Sequence, residues 1–459
     1  MRIVRAFIVL LLLLLIAAGV TYYFAGRAAG PAIAIQLPPV IGQTGALEVT
    51  VDAPAGQLDD LSVVLSQGTQ TFPVMTLANA PPGVMTREGA DRVRIKTSIG
   101  RKSSPELKSG QAKIIVRATR PVLRGLRHAS SEASRDVQVR LEPPRISIVS
   151  TKHYINVGGS ELVVYRASPP DVESGVQVGE LTYRGFPASA AGVPGDADLK
   201  VAFFALLYNQ PTDTPINLYA RDVAGNEAHA EFDHRVFPKA FRHSTIPLDD
   251  PYLKRVVTPI LEQSPEVKVS PDDLLPAFLK VNNDLRKMNN EKIASLSKNT
   301  AAAILWHGAF QPLGNAQVES AFADYRTYTY GGKDVDHQVH LGFDLAKVVN
   351  APVTAANDGK VVHAQYLGIY GNCIILDHGM GVQSLYGHLS AFQVKEGDEV
   401  KKGQQIGVSG QTGMAGGDHL HFSMLVDGQF VNATEWWDPH WIEDRITRKL
   451  REAGAPAQQ

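Results

Sequence analysis

Apolar and polar positions alternate in short runs along residues 31–143 and again along residues 144–240, and Gly, Pro and Asp separate the runs. Ala46–Val51 and Ile216–Arg221 are examples from the two segments. Short alternating runs with regular turn signals are typical of β-sandwiches. We therefore expect two β-rich stalk domains, joined at Pro143.

Apolar residues change to helical spacing between residues 241 and 304. Ser270 is predicted as the N-cap of a helix, with Pro271 in its first turn. Pro276 must also lie in the first turn, because proline has no N–H to donate to a helix. The spaced apolar positions are Leu274, Leu275, Phe278, Leu279, Val281 and Leu285. This segment is predicted to be a helical linker.

Residues 305–437 return to a β pattern that is dense in glycine, with strands expected at Gly359–His363 and Asn372–Asp377. An antiparallel β domain is predicted there. In residues 438–459, Asp438 and the following proline are predicted to cap a closing helix. Its apolar face would carry Trp441, Ile442, Ile446 and Leu450. The expected fold class of the whole chain is mainly β.

The N-terminus carries an unbroken apolar stretch, Ala6–Val20, after Arg2 and Arg5. About 20 residues in a helix cross the ~30 Å hydrocarbon layer of a membrane. Residues 1–30 are therefore predicted to be a single-pass anchor, with the basic end in the cytoplasm and the rest outside. A cleaved signal peptide is the alternative. The short turn at residues 222–226 resembles the end of immunoglobulin-like extracellular repeats, which suggests an Ig-like fold for residues 144–240.

The composition of the chain gives no sign of a nucleic-acid partner and excludes an intrachain disulfide. The formal net charge is -1 over 459 residues, with 44% hydrophobic and 20% charged residues, so nothing favours a nucleic-acid partner. Cys373 is the single cysteine, which excludes an intrachain disulfide. It lies in an apolar run and is expected to be a small buried side chain.

Histidines and an aspartate in residues 340–421 are candidates for metal chemistry. In a strand, His419 and His421 would face the same side, because residues two apart do so. His340 and Asp344 would lie ~13 Å apart if extended. A bend at Gly342 would bring them together, because glycine tolerates unusual backbone angles.

Three of these residues are enough for a catalytic zinc site, which takes three His or Asp/Glu ligands and keeps a position for water. His388 would add a further imidazole. The glycine-rich loop at residues 410–417 lacks the lysine of a phosphate-binding loop. The serines lack a nucleophile-elbow context, which disfavours a serine hydrolase.

Three motifs closely resemble the signature of the lysostaphin-like (LytM-type) zinc metallopeptidases, which cut peptidoglycan peptides. They are His-Leu-Gly-Phe-Asp at 340–344, Tyr-Gly-His-Leu at 386–389 and His-Leu-His-Phe at 419–422, and the resemblance extends over residues 312–432. It implies a lysostaphin-like antiparallel β catalytic domain. It also implies Zn²⁺ held by His340, Asp344 and His421, with His388 and His419 as unligated catalytic histidines.

Together with the predicted anchor, the resemblance implies a membrane-anchored zinc endopeptidase that hydrolyses peptide cross-links of peptidoglycan with a zinc-activated water. A D,D-endopeptidase is the most specific expectation. Its partners would be peptidoglycan stem peptides, the cytoplasmic membrane and an envelope protein docked on the β domains. Its location would be the inner membrane, with the catalytic domain periplasmic. The alternative is a non-hydrolytic envelope scaffold or regulator of another cell-wall hydrolase.

Two further expectations concern the surroundings of this site. Tyr366, Tyr370 and Tyr386 are candidates for a substrate groove, with sheet packing as the competing interpretation. The segment Asp324–Gln338 lies just before His340 and could overhang the site.

Overall fold

The computed structural model of the chain describes residues 2–456. The chain forms two compact units, one of Met1–Pro144 with Arg221–Glu227 and one of Arg145–Ala220 with Ala228–Gln459. Met1 and residues 457–459, at the ends of the predicted anchor and C-terminal tail, lie outside the described residues. The domain boundaries predicted from the sequence stay predictions.

The first unit begins with one long helix, α1, at Arg2–Ala25. Its strands are β1 Ala32–Gln36, β2 Val40–Ile41, β3 Gly45–Asp52, β4 Asp60–Gln67, β5 Gln70–Thr76, β6 Met85–Glu88, β7 Arg92–Ile99, β8 Gly110–Val122 and β9 Arg127–Val139. They form two sheets, ordered β1-β3-β7-β6 and β2-β9-β8-β4-β5.

The two sheets of the first unit enclose a single hydrophobic core, as expected for a sandwich. In β8, Ala112, Ile114, Val116 and Ala118 are buried at every second position. This alternation puts one face of the strand inside and the other in solvent. The predicted strand Ala46–Val51 is confirmed as part of β3.

The second unit starts with ten further strands. They are β10 Arg145–Ile148, β11 His153–Asn156, β12 Ser160–Ser168, β13 Glu173–Val178, β14 Leu181–Arg184, β15 Phe186–Pro187, β16 Leu199–Ala205, β17 Ile216–Arg221, β18 Glu227–Glu231 and β19 His234–Phe237. Two four-stranded sheets, ordered β10-β12-β16-β15 and β14-β13-β17-β18, make up most of this region. The predicted strand Ile216–Arg221 is confirmed.

A helical segment follows strand β20, His243–Leu248, as the sequence predicts. It consists of α2 Asp250–Gln263, α3 Leu274–Lys280, a π-helical turn Val281–Leu285 and α4 Arg286–Leu296. The N-cap prediction at Ser270 is wrong, because α3 begins at Leu274 after Asp273. Pro276 lies in the first turn of α3, as predicted, where its missing N–H costs no helical hydrogen bond.

The remaining strands belong to the C-terminal region. They are β21 Gln317–Ser320, β22 Asp324–Tyr330, β23 Lys333–His340, β24 Phe343–Ala346, β25 Pro352–Thr354, β26 Gly359–Tyr366, β27 Asn372–Asp377, β28 Val382–Leu389, β29 Ala391–Phe392, β30 Glu399–Val400, β31 Gln405–Val408, β32 Leu420–Val426 and β33 Gln429–Val431. The main sheet has the order β21-β24-β32-β28-β27-β26-β30, with β33 paired to β32.

Strands β28 and β32 lie in the middle of this sheet and are buried along their whole length. They pair in an antiparallel register that sets Gly387 opposite His421. On its other side β32 pairs with β24, again antiparallel, so that Asp344 lies opposite His421. The predicted antiparallel β domain is confirmed.

Short helices close the chain: α5 Ala433–Trp437, α6 Pro439–Ile442, a π-helical turn Glu443–Thr447 and α7 Arg448–Glu452. The predicted cap is confirmed, because the Asp438 carboxylate accepts a hydrogen bond from the His440 N–H at 2.8 Å. The predicted apolar face is also buried at Ile442, Ile446 and Leu450.

A buried ion pair joins the C-terminal helix to the β-rich part of the second unit. The Lys449 ammonium lies 2.7 Å from Glu161 Oε1, and the two side chains are 1% and 0% exposed. Burial raises the pKa of Glu161 and lowers that of Lys449, since both charges have lost water. Glu161 also accepts hydrogen bonds from the N–H groups of Tyr154 and Leu162.

Replacing Lys449 by Met is expected to destabilise the protein by about 3–5 kcal/mol, because the buried Glu161 loses its hydrogen-bonded cation and keeps only Arg445, which is 4.0 Å away. The measurement is chemical denaturation followed by circular dichroism. The double variant E161Q/K449M should recover part of the loss, since no buried charge remains. Equal stability of K449M and the unmodified protein would contradict this role of the pair.

Candidate active site

Three strands bring the candidate ligands together. His340 is the last residue of β23, Asp344 lies in β24 and His421 lies in β32. The chain bends between β23 and β24, as predicted, so that two residues four apart in sequence face one point. Pairing of β24 with β32 then adds His421 from 77 residues further along the chain.

One ligand atom from each residue faces the same point. His340 Nε2 lies 2.9 Å from Asp344 Oδ1 and 3.0 Å from His421 Nδ1. His421 Nδ1 lies 3.1 Å from Asp344 Oδ1. The three atoms form a nearly equilateral triangle that can hold a metal ion.

Hydrogen bonds behind the two imidazoles fix their tautomers. His340 Nδ1 lies 3.1 Å from the Ala321 carbonyl, which can only accept, so Nδ1 carries the proton and Nε2 keeps its lone pair. The Ser423 hydroxyl donates to the Leu341 carbonyl at 2.9 Å. Its oxygen therefore accepts from His421 Nε2–H at 3.0 Å, and His421 Nδ1 is left free to bind.

The donor set fits Zn²⁺. Two ligands about 2.1 Å from a tetrahedral zinc ion lie about 3.4 Å apart, so this triangle needs only a small expansion. Burial lowers the pKa of His421 to about 4, which keeps the imidazole neutral, as metal binding requires.

Asp344 is held as a carboxylate. Burial acts to raise its pKa, but the surrounding imidazoles outweigh this effect and hold the pKa well below its usual value. Its second oxygen, Oδ2, accepts a hydrogen bond from Arg326 Nη2 at 3.0 Å. Arg326 thus orients the carboxylate so that Oδ1 faces the two histidines.

His388 and His419 lie beside the triangle, and in each of them Nδ1 faces a main-chain carbonyl. His388 Nδ1 is 2.8 Å from the Thr412 carbonyl, and His419 Nδ1 is 2.9 Å from the Gly417 carbonyl. Each imidazole is therefore protonated at Nδ1 and has Nε2 free to exchange a proton. Their ring centroids are 4.8 Å apart.

The environments of these two histidines differ. Burial, with the neighbouring imidazoles, holds the pKa of His388 well below its usual value. Burial also acts to lower the pKa of His419, but Asp344, whose Oδ1 is 3.4 Å from His419 Nε2, raises it overall. His388 has φ of 62°, a left-handed conformation that is strained for a side-chain-bearing residue and is often found at functional sites.

The sequence profile described as peptidase family M23 matches residues 338–433, which include all five of these residues. The chain carries a peptidase family M23 domain. This confirms the predicted resemblance, and Zn²⁺ is the cofactor that such a domain uses.

Two curated relatives match the M23 domain. The DD-carboxypeptidase/endopeptidase Mpg of Neisseria meningitidis is 42% identical over 95 residues, which are 21% of this chain and 22% of Mpg. The peptidoglycan DD-endopeptidase ShyA of Vibrio cholerae is 42% identical over 94 residues, which are 20% of this chain and 22% of ShyA. The matched part therefore spans about a fifth of either relative.

Among solved structures, the catalytic domain of lysostaphin from Staphylococcus simulans is 30% identical to the matching part of this chain. The match covers 31% of this chain and 96% of that domain, with a TM-score of 0.21. A TM-score this low adds nothing to the assignment of the M23 domain.

The cavity at the M23 site is small and partly covered. Its volume is about 120 Å³, and it is lined by all five residues of the site together with Ile246, Tyr252, Arg286, Arg326 and Met414. Pockets for drug-sized ligands hold ~300–1,000 Å³, so this cavity accommodates a few waters but not a peptide. Ile246 of β20 and Tyr252 of α2 line this cavity, although both lie outside residues 338–433, which match the M23 family.

The three tyrosines predicted at a substrate groove lie in different surroundings. Tyr370 lines the cavity, and its ring centroid is 5.5 Å from that of His421. Tyr386 is buried in the sheet, where its hydroxyl accepts from the Ala356 N–H at 2.8 Å. The Tyr366 hydroxyl is buried and has no hydrogen-bond partner among the described residues. Their contact with a substrate stays a prediction.

Sequence reasoning missed the residues that orient the ligands. Ser423 follows His421 by two positions on the same strand, so the period of two could have identified it. Arg326 and Ala321 precede the first motif, and nothing local marks them as neighbours of Asp344 and His340. The overhang expected from Asp324–Gln338 does occur at Arg326 and Tyr328, which line the cavity.

Gly342 serves the M23 site in a different way from the one predicted. Its φ is not in the left-handed region, so unusual backbone angles are not the reason for a glycine. A Cβ atom at this position would lie 2.5 Å from His421 Nε2 and 2.6 Å from Ser423 Oγ. A glycine is needed at residue 342 because the backbone passes directly against the candidate ligand His421 and the Ser423 hydroxyl that orients it.

Replacing Gly342 by Ala is therefore expected to weaken zinc binding by about 10- to 100-fold, because it displaces His421 or its Ser423 partner. Competition with a zinc-binding dye measures the affinity. Gly314→Ala is the control, since a Cβ at residue 314 has no heavy atom within 4 Å. Unchanged zinc affinity of G342A would show that the close contact is not needed.

Proposed function

We propose that the protein is a membrane-anchored zinc endopeptidase that hydrolyses the peptide cross-links of peptidoglycan, most specifically a D,D-endopeptidase. The observation that carries this proposal is the convergence of three ligand atoms within 3.1 Å of one another, with two further imidazoles beside them. A structural zinc site would be closed by four protein ligands, whereas three ligands leave a position for water.

The roles of the side chains follow from their free nitrogens. When bound, Zn²⁺ supplies Lewis acidity and a water acidic enough to attack at neutral pH. His419 Nε2, next to Asp344, is placed to accept the proton of the attacking water. His388 Nε2 is placed to stabilise the oxyanion or to protonate the leaving amine. Burial holds both imidazoles in a site that excludes bulk water.

Two features support the substrate and the location. The relatives Mpg and ShyA are both named as endopeptidases, and the name of ShyA gives peptidoglycan as its substrate. Helix α1 has 24 residues, a mean hydropathy of 2.9 and no buried residues in its most apolar window. At 1.5 Å per residue it is about 36 Å long, enough to cross a bilayer. An anchored enzyme outside the cytoplasmic membrane would meet peptidoglycan directly.

Substrate entry requires a change at the covered site. Tyr252 of α2 and Ile246 of β20 line a cavity that is too small for a peptide. Arg255, also in α2, donates a hydrogen bond to the Gly416 carbonyl at 3.3 Å. We infer that α2 and β20 move away from the glycine-rich loop when a cross-linked peptide binds.

The test is digestion of cross-linked muropeptides by the purified full chain in detergent, with product masses identifying the bond cut. Activity should disappear with a chelator and return with Zn²⁺. His340→Ala should lose zinc and activity together. His419→Ala should keep zinc and lose about 10²–10⁴-fold in turnover, because only proton transfer is removed.

His440→Ala is the matched control, since His440 is exposed and lies outside the site. It should keep both zinc and activity. If the zinc-loaded chain cuts no muropeptide, the protein is not this hydrolase and the non-hydrolytic envelope scaffold becomes the better account. If His419→Ala loses its metal, the division between ligands and proton-transferring residues is wrong.

A further inference from the structure

Two larger cavities lie next to the metal site in the second unit. One holds about 560 Å³ and the other about 530 Å³, which is the size range of ligand pockets. Both are lined by Tyr208, Arg286, Asn290, Gln338 and Leu341, so they form one continuous groove. None of these five residues belongs to the five-residue metal and histidine site.

Arg286 connects this groove to the metal site. Its side chain lines both groove cavities and also the cavity that contains the five site residues. Asn290 follows four residues later on α4, so both side chains lie on the same helix face. The Tyr370 hydroxyl donates to Asn290 Oδ1 at 2.9 Å, and Tyr370 packs against His421.

Arg286 is a half-buried cation that has only neutral partners. It donates to Asn282 O at 3.0 Å, to Asn282 Oδ1 at 2.5 Å and to Met414 Sδ at 3.5 Å. Among the described residues, no carboxylate lies within ion-pair distance of its guanidinium. Partly buried charges are normally paired, so this cation is available for an anion from outside the chain.

The neighbouring cations are already compensated. Lys287 lies 4.0 Å from Glu291, and Arg326 pairs with Asp344 at 3.0 Å. Arg286 therefore carries the positive charge that the groove leaves unmatched. Among the described residues, the Asn290 amide nitrogen donates to no acceptor, so it adds two N–H donors on the same face.

We propose that Arg286 binds a free carboxylate of a peptidoglycan stem peptide, with the peptide lying in the groove and leading to the metal site. The proposal rests on the proposed function and adds the chemical group that is recognised. The Arg286 Nε and Nη2 donors are used by Asn282 and Met414, which leaves Nη1 to make a charge-assisted hydrogen bond to a carboxylate oxygen. The amides of Asn290 and Gln338 would bind the polar backbone of the same peptide.

The test compares two cross-linked muropeptides that differ in one property: the stem carboxylates are free in one and converted to carboxamides in the other. The zinc-loaded full chain should cut the acidic substrate with a kcat/KM about tenfold higher or more, as a charge-assisted hydrogen bond allows. Arg286→Gln should remove this preference by lowering kcat/KM for the acidic substrate alone. Arg286→Lys should retain part of it.

Lys292→Gln is the matched control, because it removes the same charge from an exposed position of the same helix outside the groove. It should leave the preference unchanged. The proposal is overturned if the unmodified protein does not distinguish the two substrates. It is also overturned if R286Q lowers kcat/KM for both substrates equally, since that would mean a structural role through Asn282 and Met414.

Binding measurements separate this proposal from the proposed function. An acidic disaccharide tetrapeptide and its amidated form can be titrated into the zinc-loaded protein by calorimetry, without any bond being cut. Tighter binding of the acidic form, lost in R286Q, supports the carboxylate site even if the protein cuts no muropeptide. Equal binding of the two forms contradicts the carboxylate site even if the protein is an active endopeptidase.

Discussion

The register between three neighbouring strands is the constraint on which the site depends. Asp344 in β24 lies opposite His421 in β32, and His421 lies opposite Gly387, the residue before His388. A shift of one residue in either pairing would turn the imidazole of His421 to the other face of the sheet. The buried strands β28 and β32 fix this register, because their apolar side chains pack on both sides. The chemistry therefore follows from the packing of the sheet centre.

Hydrogen bonds from the imidazoles to three main-chain carbonyls and to the Ser423 hydroxyl then fix which ring nitrogens keep a free lone pair. The carbonyls of Ala321, Thr412 and Gly417 each accept a hydrogen bond from the Nδ1–H of one histidine, while the Ser423 oxygen accepts one from His421 Nε2–H. These contacts decide which nitrogen binds metal and which exchanges a proton.

The sequence predicted the parts of the site that depend on local pattern. The period of two in a strand gave the common face of His419 and His421, and the spacing of His340 and Asp344 required a bend. It could not give the contacts made by Arg286 or Arg326, because these depend on how a helix and a hairpin pack over the sheet. For the same reason, the sequence predicted the wrong role for Gly342. The glycine is needed because a side chain would clash with His421, and not because the backbone adopts unusual angles. The start of α3 was misplaced because a serine, a proline and two acidic residues imitate a helix start.

The central claim is that His340, Asp344 and His421 together hold one zinc ion and leave one position for solvent. X-ray absorption at the zinc edge of the metal-loaded full chain tests this most directly. We expect one zinc per chain with two imidazole nitrogens and two oxygens at about 2.0–2.2 Å. A zinc ion with three or four imidazole ligands would place His388 or His419 in the coordination sphere and contradict it, as would the absence of stoichiometric metal.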